Sequence, residues 1–337
     1  MPISTNTLVS CLKQRVPVHD FFDDIDSSSL SIESQNKILS VMSPIVTQNP
    51  YYAKLFLKRY IDKLEHFDHP DHEVLEEFYE LYPTVMGAQE LAPTDSDIVC
   101  YQVSNECEVW IKEYPKLISG QGTTGLRTWE AALYFAAYLN NVNNNDICLA
   151  NKTICELGTG TGLLSVSLVK NSETLGNIKE VIFTDGDSQL IENLNGTFEL
   201  NSVKQHQQNS NSDQPIINCH QLLWGTTNEQ DKEQFLQPVP SGVDYVIAAD
   251  VTYDTTILRP LCSTISDFFA SGTTMALIAA TVRNEKTLHE WELELTKWFG
   301  KDRWNVRERV AKPEELQDQT LWFRKGTAEI RIYEIRK

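Results

Sequence analysis

The stretch Thr153-Ile154-Cys155-Glu156-Leu157-Gly158-Thr159-Gly160-Thr161-Gly162-Leu163-Leu164 decides the fold of this 337-residue chain. A short apolar run reaches Glu156 and Leu157, three alternating glycines follow, and a helix-like apolar pattern then begins. This order predicts a strand, a tight turn and a helix start, which is where an α/β sheet accepts a nucleotide-like ligand. The glycines let the backbone approach the ligand closely, and the free N–H groups of the helix start can donate to its carboxylate.

The spacing of the glycines separates three kinds of nucleotide-binding turn. A dinucleotide fingerprint, G-x-G-x-x-G, requires glycine where this chain has Leu163, and a P-loop requires a lysine before Lys170. The pattern that is present, E-x-G-x-G-x-G, resembles motif I of the seven-strand S-adenosylmethionine (AdoMet) methyltransferases. A plain glycine-rich turn is the alternative interpretation.

Composition restricts the class of protein. The net charge of −18 argues against a protein that grips nucleic acid through its phosphates, because that needs a basic face. The charge is compatible with basic protein partners, and solubility alone is the alternative.

Seven scattered cysteines without a C-x-x-C pair indicate a reducing compartment. The residues Lys13–Arg15 interrupt the only candidate signal segment, and the apolar runs are too short to span a membrane. We therefore expect a soluble, cytoplasmic protein without direct nucleic-acid or membrane binding.

Two regions of different pattern follow one another. Residues 1–115 are predicted as a helical accessory domain, with one amphipathic helix at Tyr51–Leu64 and a second that opens at Pro70 and stops near Pro83. Residues 116–337 alternate strands and helices, which predicts a doubly wound, Rossmann-like α/β sheet of seven strands. The predicted strands are Thr153–Leu157, Glu180–Thr184, Ile216–Leu223, Val243–Ala249, Thr274–Val282 and a terminal hairpin of Trp304–Val310 with Ala328–Ile335. The predicted helices are Glu130–Leu139, Thr161–Lys170, Ser188–Leu200, Thr255–Ala270 and Glu285–Phe299.

Three histidines in the helical region, His66, His69 and His72, are spaced as metal ligands could be. Pro70 breaks the helical face that such a site would need, so a solvated turn between helices is the favoured interpretation. We expect no metal site.

The carboxyl ends of the predicted strands supply the remaining cofactor candidates. Asp185 ends the second strand, where an acidic side chain can accept from both ribose hydroxyls, while Asp187 competes for that role or caps the next helix. Trp224 ends the third strand and Trp129 precedes the first. Each could cover an adenine ring, or be an ordinary core tryptophan.

The fourth strand ends in Ile247-Ala248-Ala249-Asp250-Val251-Thr252-Tyr253. The small side chain of Ala249 would let a cofactor pack against the strand. Asp250 closes an apolar strand, so Asp250 and Tyr253 lie where a substrate should enter. The alternative role for Asp250 is to cap the helix that follows.

The Asp-x-x-Tyr motif after the fourth strand is similar to the substrate motif of the family-16 protein methyltransferases, which modify lysine and occasionally other residues. Further segments resemble the branch that includes the fungal elongation factor 2 lysine methyltransferases, in which a helical N-terminal extension precedes the methyltransferase domain. These segments are Gly125–Ala132, Phe183–Asp185, Ile247–Tyr253 and Thr281–Asn284. One departure is Leu222-Leu223-Trp224, where relatives often carry an acidic residue just before the tryptophan.

The resemblance implies AdoMet as the cofactor and a protein substrate, translation elongation factor 2. Together with motif I it predicts a cofactor site formed by Trp129, Glu156, Gly158, Thr159, Gly160, Gly162, Asp185, Trp224 and Ala249. Asp250 and Tyr253 are the predicted catalytic residues and face the lysine.

The predicted reaction requires a neutral lysine, which costs about 4.6 kcal/mol at pH 7 from a reference pKa of about 10.4. An ionised carboxylate favours the ammonium form, so Asp250 is expected to capture and orient the lysine. The proton then passes to water or to the Tyr253 hydroxyl. The alternatives are a methyltransferase acting on another protein residue or a small molecule, and a non-catalytic adaptor with the same fold.

Overall fold

A seven-stranded mixed sheet lies at the centre of the molecule, flanked by helices and joined to a separate helical region. The structure is a computed structural model that describes residues 3–67, 73–117, 123–141, 146–204, 214–225, 239–316 and 321–337. The α-helices in these ranges are α1 (Thr5–Gln14), α2 (Val18–Phe21), α3 (Ile32–Gln48), α4 (Pro50–Glu65), α5 (Glu76–Val85), α6 (Glu130–Asn140), α7 (Leu163–Lys170), α8 (Ser188–Leu200), α9 (Thr255–Ala270) and α10 (Glu285–Phe299). The strands are β1 (Asp97–Gln102), β2 (Glu108–Glu113), β3 (Thr153–Leu157), β4 (Glu180–Asp185), β5 (Ile216–Gln221), β6 (Tyr245–Ala249), β7 (Met275–Thr281), β8 (Trp304–Val310) and β9 (Ile330–Arg336).

The strand order of the large sheet is β5-β4-β3-β6-β7-β9-β8. Strands β3 to β7 are parallel, and β9 and β8 complete the sheet as an antiparallel pair. The chain leaves β3 toward β5 on one side and returns to β6 on the other, so the topological switch point lies between β3 and β6. The predicted doubly wound seven-strand sheet with a helical N-terminal region is confirmed.

Both faces of the sheet are covered by helices, which explains the nearly continuous apolar sequence of the parallel strands. One face packs against α6, α7 and α8 through side chains such as Ile154 and Phe183. The opposite face packs against α9 and α10 through Leu157 and Ala248. Successive residues of a strand point to opposite faces, so each central strand contributes to both cores.

The helical region formed by α1 to α5 has a hydrophobic core of its own. Phe56 and Tyr60 stack within it, with ring centroids 5.2 Å apart. The predicted stop at Pro83 is wrong, because α5 continues to Val85, whose side chain is buried in this core. The predicted start at Pro70 lies outside the described residues, but it is too early, because residues 73–75 are not helical and α5 begins at Glu76.

A hairpin of β1 and β2, absent from the sequence-based prediction, joins the helical region to the sheet. Its buried side chains, Val99 and Ile111 among them, belong to the core on the α6 face of the sheet. The predicted boundary after residue 115 stays a prediction: it groups this hairpin with the helical domain, whereas the buried side chains of the hairpin pack in the core of the sheet. Each short strand has only three or four apolar or aromatic residues in succession, a run too short to distinguish a strand from a piece of helix.

A buried ion pair fixes the helical region to this hairpin. Arg15 at the end of α1 lies 3.3 Å from the carboxylate of Asp97 on β1, and both side chains are almost inaccessible to solvent. Asn49 donates to the same carboxylate at 2.6 Å, and Arg15 also donates to the carbonyl of Ile98. Separation of the two charges would leave each of them buried and unpaired, which is energetically costly. The ion pair therefore holds the helical region and the hairpin together rigidly.

Within the described ranges, no helix combines the length and the apolar character needed to cross a membrane. All seven cysteines lie in described segments and are free thiols.

Glu113 at the end of β2 generates a prediction about stability. Its Oε1 accepts from the Tyr101 hydroxyl at 3.0 Å and from the Thr128 N–H at 3.2 Å, and burial raises the pKa of its carboxyl to about 7. The unfolded pKa is near 4.3, so the stabilising contribution of the protonated carboxyl is complete below that pH and is lost as pH rises toward 7. We expect Glu113→Gln, whose amide oxygen can accept both hydrogen bonds, to be more stable than wild type at pH 8 by up to about 3 kcal/mol and equal at pH 4.5.

Chemical denaturation at the two pH values measures this difference, and Glu106→Gln at the exposed hairpin turn is the matched control. A Glu113→Gln variant that loses stability at pH 8 would show that Glu113 is needed as a carboxylate.

Candidate active site

A cleft of about 640 Å³ opens at the carboxyl ends of β3, β4 and β6, at the switch point of the sheet. Ligands of open α/β sheets bind at this place. Nearly all of the predicted site residues line the cleft: Trp129, Glu156, Gly158, Thr159, Gly160, Asp185, Trp224, Ala249, Asp250 and Tyr253. The structure therefore brings together side chains that are up to 124 positions apart in the sequence, from Trp129 to Tyr253.

The turn after β3 needs glycine at two positions. Gly158 has a φ of 68°, and a Cβ there would lie 2.9 Å from the Val251 side chain and 3.5 Å from the Trp224 ring. Gly160 has a φ of 51°, and a Cβ there would lie 3.3 Å from the carbonyl oxygen of Gly125. The two glycines leave a floor of bare backbone in the cleft, as the sequence predicts.

Gly162 differs from its predicted role in cofactor binding. It is not among the residues that line the cleft, and a Cβ there would lie 2.7 Å from Leu194 of α8. Its backbone is the N-cap of α7, with a φ of 86°. The third glycine of the motif thus allows close helix packing, a requirement that spacing alone does not separate from ligand contact.

Glu156 lies under the same turn and is buried. Its Oε2 accepts from the Thr159 hydroxyl at 2.8 Å, and burial raises the pKa of its carboxyl to about 7. This hydrogen bond fixes the turn from below, and Glu156 and Thr159 both contribute to the lining of the cleft.

Asp185 extends from the end of β4 to the cleft. One carboxylate oxygen accepts from the Gly160 N–H at 3.0 Å and the other from the Asp187 N–H at 3.0 Å. Burial raises the pKa of Asp185, and the backbone hydrogen bonds oppose that shift. Asp187 accepts from the Gln189 N–H at 2.8 Å and is the N-cap of α8, so the capping role predicted for it is confirmed.

The two predicted tryptophans have different surroundings. Trp224 lies over Gly158, and its indole nitrogen is buried without a hydrogen-bond partner among the described residues. Trp129 donates through its ring nitrogen to the Thr124 carbonyl at 3.0 Å. The guanidinium groups of Arg127 and Arg283 lie 4.4 Å and 4.9 Å from its ring centroid. Trp129 is thus held in place by cation–π contacts that sequence reasoning missed.

Asp250 has the most constrained position in the cleft. Its φ is 54°, a left-handed conformation that is unfavourable for a residue other than glycine. Its side chain is only 5% exposed, and its backbone N–H donates to the Ala279 carbonyl of β7. Strain of this kind persists when the surrounding contacts enforce it, and it concentrates at functional sites.

Five donors surround the Asp250 carboxylate. They are the Ala131 N–H, the Thr281 N–H and hydroxyl, and both terminal nitrogens of Arg283, at 2.9 to 3.4 Å. We call Asp250 with Ala131, Thr281 and Arg283 the Asp250 cluster. All contacts are donors, which suits an ionised carboxylate with about four acceptor sites.

The Asp250 cluster bears on two sequence-based expectations. Asp254, not Asp250, caps the helix that follows, since it accepts from the Thr256 N–H. Asp250 instead caps α6, whose own N-cap residue, Trp129, provides no side-chain cap. Five donors already contact the two oxygens of the Asp250 carboxylate, and these contacts indicate a positioning role. The expected role of Asp250 in capturing the lysine stays a prediction, because Asp250 also lines the cleft.

Tyr253 lies at the mouth of the cleft and is 54% exposed. Leu223, after β5, also lines the cleft and is exposed. These side chains offer an accessible edge where a substrate side chain can enter.

The histidines His69 and His72 lie outside the described residues, and His66 Nδ1 contacts the Asp62 carbonyl. Among the described residues, no group of three or more His, Cys, Asp or Glu side chains is arranged to hold a metal ion.

The cleft fits AdoMet. The glycine floor accepts a ligand that a Cβ would exclude, and Asp185 offers acceptors at the position expected for ribose hydroxyls. Trp224 lines the cleft, and its indole N–H has no partner within the described part of the chain. The donors and acceptors suit a nucleoside with a charged amino-acid tail.

Comparison with known proteins decides the family. The lysine methyltransferase family model matches residues 104–292. The protein-lysine N-methyltransferase EFM3 of Saccharomyces cerevisiae is 30% identical over 347 residues, covering 97% of this chain and 97% of the yeast protein. The chain belongs to the lysine methyltransferase family. It is accordingly an AdoMet-dependent protein-lysine methyltransferase, as its motifs predicted.

Two further similarities extend the comparison. The protein-lysine N-methyltransferase EEF2KMT of Homo sapiens is 30% identical over 278 residues, covering 80% of this chain and 78% of the human protein. The solved structure of TYW2 from M. jannaschii with AdoMet matches 74% of this chain and 90% of its own, at 11% identity and a TM-score of 0.36.

The glycine floor generates a prediction about cofactor affinity. Gly158→Ala introduces a Cβ against Val251 at a positive φ, so we expect AdoMet affinity to fall at least about tenfold while the fold persists. Isothermal titration with AdoMet measures this loss. Gly196→Ala in α8 is the matched control, since nothing lies within 4 Å of its added Cβ, and it should bind AdoMet as wild type does. Unchanged affinity in Gly158→Ala would show that this turn does not contact the cofactor.

Proposed function

We propose that this enzyme methylates a lysine of translation elongation factor 2 in the cytoplasm. The proposal is carried by the match of the yeast relative to 97% of this chain, including the helical N-terminal region, together with the name of the human relative, EEF2KMT. A substrate-docking region is expected to be shared between enzymes with the same target, whereas the AdoMet-binding half is common to methyltransferases of many targets. The sequence motifs that resemble the elongation factor 2 branch point to the same substrate.

Different residues of the cleft would contact different parts of AdoMet. Asp185 would accept from the ribose, Trp224 and Ala249 would border the adenine, and the Gly158–Gly160 turn with Trp129 would hold the amino-acid end. When bound, AdoMet supplies a methyl group on a positively charged sulfur. Charge moves during the transfer and is not created, so alignment provides most of the rate gain.

The acceptor lysine would enter between Tyr253 and Leu223, whose exposed apolar surfaces suit the aliphatic stem of a lysine side chain. Its ammonium must lose a proton before attack, to water or through the Tyr253 hydroxyl. Tyr253 is the predicted group with direct access to the lysine. Asp250 would act by holding the first turn of α6, and with it Trp129, at the edge of the cleft.

Tyr253→Phe tests this arrangement. Loss of the hydroxyl removes a hydrogen-bonding and proton-accepting group beside the amine, so we expect kcat to fall about 10- to 100-fold, with AdoMet affinity unchanged. Methyl transfer from labelled AdoMet to elongation factor 2, purified from cells that lack the enzyme, measures kcat. Tyr79→Phe is the matched control, because Tyr79 is a similarly exposed tyrosine on α5.

The same assay tests the substrate. Labelling of elongation factor 2 at one lysine supports the proposal. If a whole extract shows label on a different protein, the methyltransferase activity is supported, but elongation factor 2 is not the substrate. Absence of label despite AdoMet binding would favour a small-molecule substrate or an adaptor.

A further inference from the structure

The Asp250 carboxylate presents an electrostatic difficulty for the reaction proposed above. An unpaired negative charge beside the acceptor lysine would stabilise its ammonium form and raise the lysine pKa, which opposes the deprotonation that attack requires. Asp250 lines the cleft at the point where the lysine would enter. A compensating positive charge would remove the difficulty only if it stayed out of the path of the lysine.

Arg283 meets both conditions. Its two terminal nitrogens lie 3.2 Å and 3.4 Å from the two oxygens of Asp250, in the bidentate geometry that favours strong pairing. The guanidinium also pairs with Glu130 and lies over Trp129, which leaves it few alternative positions. Arg283 is not among the residues that line the cleft, so it pairs with Asp250 without forming part of the cleft wall.

We propose that Arg283 is a positioning residue that neutralises Asp250, so that the lysine in the cleft meets a paired carboxylate and loses its proton more readily. The inference rests on the proposed lysine methylation. The ammonium N–H bond breaks and the proton goes to water, which frees the nitrogen lone pair. That pair then forms the N–C bond to the methyl group, while the electrons of the broken S–C bond remain on sulfur.

The negative and positive charges in and next to the Asp250 cluster are equal in number, so the cluster is neutral overall as the proposal requires. Asp250 and Glu130 carry two negative charges, and Arg283 and Arg127 carry two positive charges. Tyr253 faces the same space from the loop after β6, and the two acids at the ends of β3 and β4, Glu156 and Asp185, line the rest of the cleft. Removal of Arg283 would leave one uncompensated negative charge.

The first test is the pH dependence of single-turnover methyl transfer, with enzyme and AdoMet in saturating excess over elongation factor 2. Under these conditions the acidic limb of the pH–rate profile, where the rate falls as pH falls, reports ionisation in the enzyme–substrate complex. We expect Arg283→Gln to move that limb up by about one pH unit, the size expected for one unit charge near a protein surface. Arg283→Lys keeps the charge and should leave the limb near its wild-type position.

A double variant separates charge from structure. Asp250→Asn/Arg283→Gln removes both charges, so its limb should return toward wild type even if its rate is lower at every pH. Arg309→Gln is the matched control, an arginine paired with Glu329 on the β8–β9 hairpin. An Arg283→Gln rate that falls equally at all pH values, with the limb unmoved, would overturn the proposal and leave Arg283 a structural role.

The second test needs no substrate protein and therefore judges the inference even if elongation factor 2 is not methylated. The probe is n-butylammonium, which carries the charged end of lysine, titrated by NMR at pH 7 with saturating S-adenosylhomocysteine. We expect Arg283→Gln to bind it about tenfold more tightly than wild type, and the double variant to bind it as wild type does. Equal binding, or no measurable binding, in wild type and Arg283→Gln would contradict the charge compensation.

Discussion

The arrangement of the active site depends on one buried carboxylate. Asp250 joins the end of β6 to the end of β7 through Thr281, to the start of α6 through Ala131, and to the Arg283 side chain. Its left-handed backbone costs about 1 to 2 kcal/mol. Hydrogen bonds to a charged group contribute about 1.5 to 3 kcal/mol each, so the five donors outweigh that cost. The strained turn is therefore a stable feature of the fold.

The Asp250 cluster also connects the cleft to the rest of the molecule. The first turn of α6 begins at Trp129, and the neighbouring Thr128 N–H donates to Glu113 of the hairpin. The hairpin is bound in turn to the helical region through Asp97 and Arg15. A continuous series of buried polar contacts thus runs from the N-terminal helices to the edge of the cleft. A substrate docked on those helices would be held at a fixed position relative to the methyl donor.

Sequence patterns predicted the elements that local chemistry determines. The helices Ser188–Leu200, Thr255–Ala270 and Glu285–Phe299 and the strand Thr153–Leu157 match their predicted bounds, because periodicity and capping residues define them locally. The positions of the acidic residue at the end of β4 and of the glycines of motif I follow from the strand–turn–helix order, which the sequence pattern predicts. Motif spacing did not reveal that Gly162 serves packing against α8.

The interactions that sequence could not supply are those between distant segments. Asp250 meets Ala131 across 119 positions and Thr281 across 31, and no periodic pattern connects them. Arg283 lies in the segment Thr281–Asn284, which resembles the family, but neither that resemblance nor its place after an apolar strand shows that it pairs with Asp250. The β1–β2 hairpin had no signal beyond two short apolar runs. Ion pairs between distant segments depend on the tertiary fold, so they can be identified only once the order of the strands in the sheet is known.

The most direct test of this account is a high-resolution crystal structure of the enzyme with S-adenosylhomocysteine and a lysine-bearing peptide of its substrate. We predict that Asp250 keeps its contacts with Ala131, Thr281 and Arg283, while the lysine nitrogen lies beside Tyr253. A structure in which Arg283 has moved away and the lysine ammonium pairs directly with Asp250 would contradict the account.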